Sequence, residues 1–173
     1  MIHELKEIIG QAVINQQKGL KNVLASVVHL DGSSYRKPGV RMLIGEDLST
    51  IGAVSGGCVE KEIIRRASSV FADGKPKIIT YDGRYRLGCE GILYILIEPF
   101  FIENTFLKRF SEVIQQRETL KIDSFFQKDD EIFGNFGSQI TFSNQETVAF
   151  SQDFSLDETT EINLFSQVLV PAF

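Results

Sequence analysis

At 173 residues, 43% of them hydrophobic, the chain is long enough to bury the core of one domain. A formal net charge of −5 argues against a general nucleic-acid binder. No apolar run approaches the roughly 20 residues of a membrane span, and the charged, helix-patterned start Met1–Glu7 is unlike a signal peptide.

In chain order, Leu5, Ile8, Ile9, Ala12 and Val13 fall at helical spacing and predict a helix over 3–18, stopped near Gly19. The β-branched run within Asn22–Leu30 predicts a strand. Asp31–Gly39 reads as a loop. Val40–Ile44 and Thr50–Val54 read as a strand pair turning at Gly45-Glu46-Asp47. Val59, Ile63, Ala67, Val70 and Phe71 form one apolar face and predict a helix over Val59–Phe71. Strands follow at Lys77–Tyr81 and Ile92–Ile97, separated by the glycine-bearing loop Asp82–Gly91. Glu103–Gln116 is amphipathic, with Phe106, Phe110, Val113 and Ile114 inward. Short strands are expected at Leu120–Phe126, Ile132–Phe133, Gln139–Phe142 and Thr147–Phe150. The apolar stretch from Phe165 to Phe173 reads as a chain stopping before another element, or as a segment docking on a partner surface. The fold class that results is α/β of mixed α+β character: one layered mixed sheet with flanking helices in a single domain.

Charge and glycine are unevenly distributed. Before Phe100 the chain carries 13 basic and 11 acidic residues, and from Phe100 onward 5 and 12. Of the 14 glycines, 12 precede residue 92. An anion-binding site therefore belongs in the first part.

Three segments there could carry chemistry. In Ser55-Gly56-Gly57-Cys58-Val59-Glu60 a thiol follows a Gly-Gly turn at the start of a helix. Unsatisfied backbone N–H groups and the helix dipole favour thiolate there, the form that attacks electrophiles and binds soft metals. Glycines let a ligand approach the backbone. The bland reading of Cys58 is a small buried hydrophobe, and that of Glu60 an exposed first-turn residue instead of an acid/base. Leu87-Gly88-Cys89-Glu90-Gly91 places the second cysteine between glycines before a strand, where it could equally be a packed thiol. Two cysteines without a signal peptide point to a cytoplasmic protein with free thiols, a disulfide between the two turns being the alternative. Gly32-Ser33-Ser34-Tyr35-Arg36-Lys37-Pro38-Gly39-Val40-Arg41 joins hydroxyls and three cations, a pattern suited to an oxyanion or to a plain solvated loop. Neither a dinucleotide fingerprint nor a P-loop is present, His3 and His29 show no zinc-ligand spacing, and His29 reads as structural.

Together these segments, in order and approximate spacing over residues ~20–100 and with the strand ending Ile97-Glu98-Pro99, resemble the XdhC/CoxI family, maturation factors for molybdenum hydroxylases such as xanthine dehydrogenase. Tyr35 departs from that family's first motif, which often has a small residue or proline. The resemblance implies a cofactor chaperone, not an enzyme. It would bind molybdenum cofactor (molybdopterin) transiently, support its sulfuration by a cysteine desulfurase and deliver it to a molybdenum hydroxylase apo-enzyme. Gly56, Gly57 and Cys58 map to the family's glycine-glycine-cysteine motif, with Cys58 the metal or sulfur contact. Cys89 maps to the second family cysteine, and Arg36 and Arg41 to the arginines of the first motif. Ser33, Ser34 and Glu60 complete the expected cofactor-binding set. Residues 1–100 would be the motif-bearing region and 101–173 would complete the same domain, in which a homodimer contact is a candidate. Typical members continue into a Rossmann-like domain, which is expected to be absent here. Two other readings stand beside this one. The first is a thiol enzyme or persulfide carrier using Cys58, and the second is an interaction domain without a ligand.

Overall fold

A computed structural model describes residues 2–32, 37–54, 58–82, 91–128, 132–133, 136–151, 154 and 162–171. Three helices and ten strands run in the order α1 (Ile2–Gln17), β1 (Asn22–Asp31), β2 (Arg41–Gly45), β3 (Thr50–Gly52), α2 (Cys58–Asp73), β4 (Lys77–Asp82), β5 (Ile92–Pro99), α3 (Asn104–Gln116), β6 (Leu120–Phe126), β7 (Ile132–Phe133), β8 (Gly137–Phe142), β9 (Thr147–Ala149) and β10 (Asn163–Leu169). The expected mixed α/β class holds. The expected single sheet is instead two sheets, one of six strands ordered β3-β2-β1-β5-β4-β7 and one of four ordered β10-β6-β8-β9. Every described ladder is antiparallel. Of the terminal apolar stretch, Phe165 through Leu169 belongs to β10, and all seven residues of that strand pair with β6.

The layers follow from strand alternation. Val23, Ala25 and Val27 of β1, with Met42, Ile44, Ile79, Ile95 and Ile97, face Val59, Ile63, Ala67 and Val70 of α2. Leu24 and Leu43 face the other way, into a core shared with α1, α3 and the four-stranded sheet. Val28, Ile78 and Leu96 extend that side against Phe126 and Phe136. The six-stranded sheet is therefore a middle layer, and β1 is buried from Asn22 through Val28. Its register shifts between Val27 and His29. Val28 faces the second sheet by ordinary alternation, and the β-bulge keeps His29 on that side, opposite Tyr94, and turns Leu30 to the α2 side. On α2, Glu62 accepts from Arg65 Nη2 at 2.6 Å and from Arg66 Nε at 2.7 Å. These two guanidinium contacts hold the Glu62 carboxyl down at about 2.

Between the sheets lies a buried polar seam. Glu98 of β5 is 1% exposed and accepts hydrogen bonds from the Ser138 backbone N–H at 2.9 Å and the Ser138 hydroxyl at 2.8 Å. Ser138 Oγ is also 2.7 Å from Ser124 Oγ. Burial raises the Glu98 carboxyl to about 7, against the opposing pull of Ser138 and of the Arg41 charge. A carboxyl with a raised folded-state pKa contributes stability that is present below its unfolded value and lost as pH rises through the folded value. For Glu98 this window runs from 4.5 to about 7. Glu98→Gln should remove that component, so the melting-temperature difference between variant and wild type should shift in favour of the variant from pH 4.5 to pH 7.5. Paired thermal melts across that range check it, and a difference that does not change with pH would refute it.

Candidate functional site

The site is best located from the strand ends. β1 and β4 both end opposite Ile92, where β5 begins. β2 begins at Arg41 opposite Ser26, and β3 ends at Gly52 opposite Met42. The connections β1–β2, β3–α2 and β4–β5 thus all leave the described elements at one end of the six-stranded sheet. The C-terminal turn of α2 lies at the other end, where Lys21 Nζ donates to the Phe71 carbonyl at 3.5 Å. A cleft of about 530 Å³ opens at that far end, lined in part by Phe71, Asp73, Lys21 and Phe101. The first residue of α2, Cys58, therefore stands at the end to which the three connections run.

Gly56, Gly57, Cys89, Arg36, Ser33 and Ser34 lie outside the described residues, as does the side chain of Cys58. Glu60 lies in the first turn of α2 and is half-buried instead of exposed. Among the described residues no group of three His, Cys, Asp or Glu side chains could hold a metal ion.

Arg41 requires a correction. Expected as an anion contact, it is 7% exposed and lies on the sheet face opposite α2, in register with Ser26. Strand alternation dictates this, since neighbouring Met42 occupies the α2 face. Arg41 Nη1 donates to the Gly39 carbonyl at 3.0 Å and to Gln167 Oε1 at 2.5 Å. Its Nε and Nη2 have no hydrogen-bond partner among the described residues. Desolvation lowers its pKa to about 10, opposed by the charge of Glu98, so it stays cationic at neutral pH. Arg41 is a buried anchor at the base of the first glycine loop.

The other stem of that loop is held at Asp31. His29 Nε2 lies 2.8 Å from Asp31 Oδ1, and Lys128 Nζ lies 3.5 Å from the same oxygen. Hydrogen bonds from His29, then from Tyr94, hold the Asp31 carboxyl below its ordinary value. His29 meets Tyr94 edge-on at 5.3 Å, and Lys128 stands over the Tyr94 ring at 5.4 Å. The structural reading of His29 fits this network. Lys128 and Gln167 were not foreseen from sequence, because both come from the second sheet's part of the chain, where no motif signals a role.

Together these features define a class: a two-sheet α/β domain with glycine-rich connections gathered at one sheet end, beside a helix that starts with cysteine. Residues 16–82 match the XdhC and CoxI family. The chain is 30% identical over 168 residues to a protein of Bacillus subtilis (strain 168) described as a probable subunit of xanthine dehydrogenase, covering 86% of this chain and 49% of that protein. Its fold is similar to the crystal structure of a protein from Bacillus halodurans described as a xanthine dehydrogenase, with a TM-score of 0.66 and 21% identity, over 95% of this chain and 53% of that one. The chain spans about half the length of both relatives. None of its described helices is long and apolar enough to cross a membrane.

Gly52, the last residue of β3 before the cysteine turn, has a φ of +82°, and a Cβ there would stand 2.6 Å from the Arg41 carbonyl oxygen. Backbone cannot yield as a side-chain tip can. Gly52→Ala should therefore destabilise the domain by more than about 1 kcal/mol. Denaturant unfolding checks this, and an unchanged midpoint would refute it.

Proposed function

We propose that this chain is an accessory protein of a xanthine dehydrogenase-type molybdenum hydroxylase that binds molybdenum cofactor at the glycine-loop end of its six-stranded sheet. The observation that carries the reading is the convergence of all three motif-bearing connections on the end where α2 begins with Cys58. The donor chemistry suits the cofactor. A thiolate at Cys58 is a soft ligand for the metal or its sulfur, and the N-terminus of α2 favours anionic groups nearby. Arg36, Ser33 and Ser34 supply charge-assisted and hydroxyl contacts to phosphate or oxo groups. Cys89 has a supporting or redox-partner role. Arg41 is left out of the contact set because it is buried on the sheet face opposite α2, with Nη1 bonded to Gly39 and Gln167.

On this reading the protein is a non-catalytic maturation factor. A cysteine desulfurase supplies the sulfur, and the apo-hydroxylase receives the loaded cofactor. Anaerobic titration with molybdenum cofactor, followed by gel filtration, tests the binding step. Wild type should retain cofactor, Cys58→Ser should lose most of it, and Cys89→Ser should lose much less. Equal retention by wild type and Cys58→Ser would remove Cys58 from the contact set. No retention by any variant would overturn cofactor binding by this chain.

A further inference from the structure

We propose that Gln167 of β10, acting through Arg41, is a positioning residue for the first glycine loop, so that the second sheet sets the placement of one wall of the cofactor site. The inference rests on the cofactor-binding reading and adds a residue far outside the matched segment 16–82.

Gln167 is 9% exposed and sits on the face of β10 turned toward the six-stranded sheet. Its Oε1 accepts from Arg41 Nη1, and the same Nη1 donates to the Gly39 carbonyl. One nitrogen therefore ties β10 to the stem of a loop 126 residues earlier in the chain. The stem is held in two further ways. The Gly39 N–H donates to the Val27 carbonyl at 2.8 Å, and Val27 N–H donates to the Val40 carbonyl at 2.9 Å. Gly39 itself has a φ of +104°, and a Cβ there would overlap Gln167 Nε2. The Gln167 amide therefore packs directly against the glycine's open side. The positive φ favours glycine there, and any Cβ would displace that amide.

The energetics favour a specific anchor over general packing. The Arg41 guanidinium is buried and charged, and hydrogen bonds to charged groups are stronger than those between neutral ones. Removing the Gln167 acceptor leaves Arg41 Nη1 with the Gly39 carbonyl as its remaining described partner. The buried cation would then re-seek a second acceptor, and the stem would move with it. Leu169 and Phe165 flank Gln167 on the inner side of β10 and hold the strand by apolar contact without it.

The test compares Gln167→Met, which keeps bulk but has no comparable acceptor, with Gln167→Glu, which keeps the acceptor. Amide hydrogen exchange by NMR reads the stem directly, and gel-filtration retention of molybdenum cofactor reads the site. In Gln167→Met, exchange at Gly39 and Val40 should rise about tenfold or more, with exchange along Cys58–Asp73 unchanged. Cofactor retention should fall in the same variant, and Gln167→Glu should restore both. Unaltered exchange at Gly39 and Val40 in Gln167→Met, or an equal rise along α2, would overturn the anchor. So would a loosened stem with undiminished retention. If wild type retains no cofactor while the stem loosens as expected, the cofactor-binding reading fails and the anchoring of the stem by Gln167 stands.

Discussion

The six-stranded sheet is covered on both faces, and the rest of the structure depends on that constraint. A strand in such a layer has no solvent side on which to place polar residues. β1 accordingly buries seven consecutive residues, Asn22 through Val28. α2 needs one apolar stripe to close one face, while α1, α3 and a whole second sheet are needed to close the other. A sheet sealed on both faces can be opened to chemistry only at its ends. The glycine-bearing connections leave their strands at one end, and a cleft of about 530 Å³ lies at the other.

Much of this was legible in the sequence because single elements announce themselves by periodicity. The apolar faces of α1, α2 and α3 were read correctly, and the bounds of most strands fall within two residues of expectation. What could not be read was which strands share a sheet. The phenylalanine-rich strands read as packing the domain or forming a dimer contact, and Phe126 and Phe142 lie on the inner side of a second sheet. Strand β10 was hidden for a related reason. It is an edge strand, exposing Leu164 and Val168 outward and burying Gln167 inward between Phe165 and Leu169, so at Leu164, Gln167 and Val168 the usual apolar-in, polar-out pattern is inverted.

The same inversion explains the reading of Arg41. From sequence, an arginine beside serines, glycines and two other cations suggests an anion contact. Its role depends on the face it occupies, and that face is set by register with Ser26. Once it is turned between the sheets, the guanidinium must find its partners there, and it finds a carbonyl, an amide oxygen and the field of Glu98.

The bulge at Val28 bears on how this strand can change length. Val27 stands opposite Ile95 and His29 opposite Tyr94, so Val28 is surplus to the ladder. Were Val28 instead paired with Tyr94 in an unbroken ladder, Leu30 would stand opposite Ile92 and turn away from α2, where it now packs. Loss of one residue at the bulge itself would leave both flanking registers intact and a regular strand in their place. Loss of one residue between Asn22 and Val27 would instead exchange the two faces of the strand. The stretch before the bulge is thus a ruler of fixed length, and the bulge a single slack link.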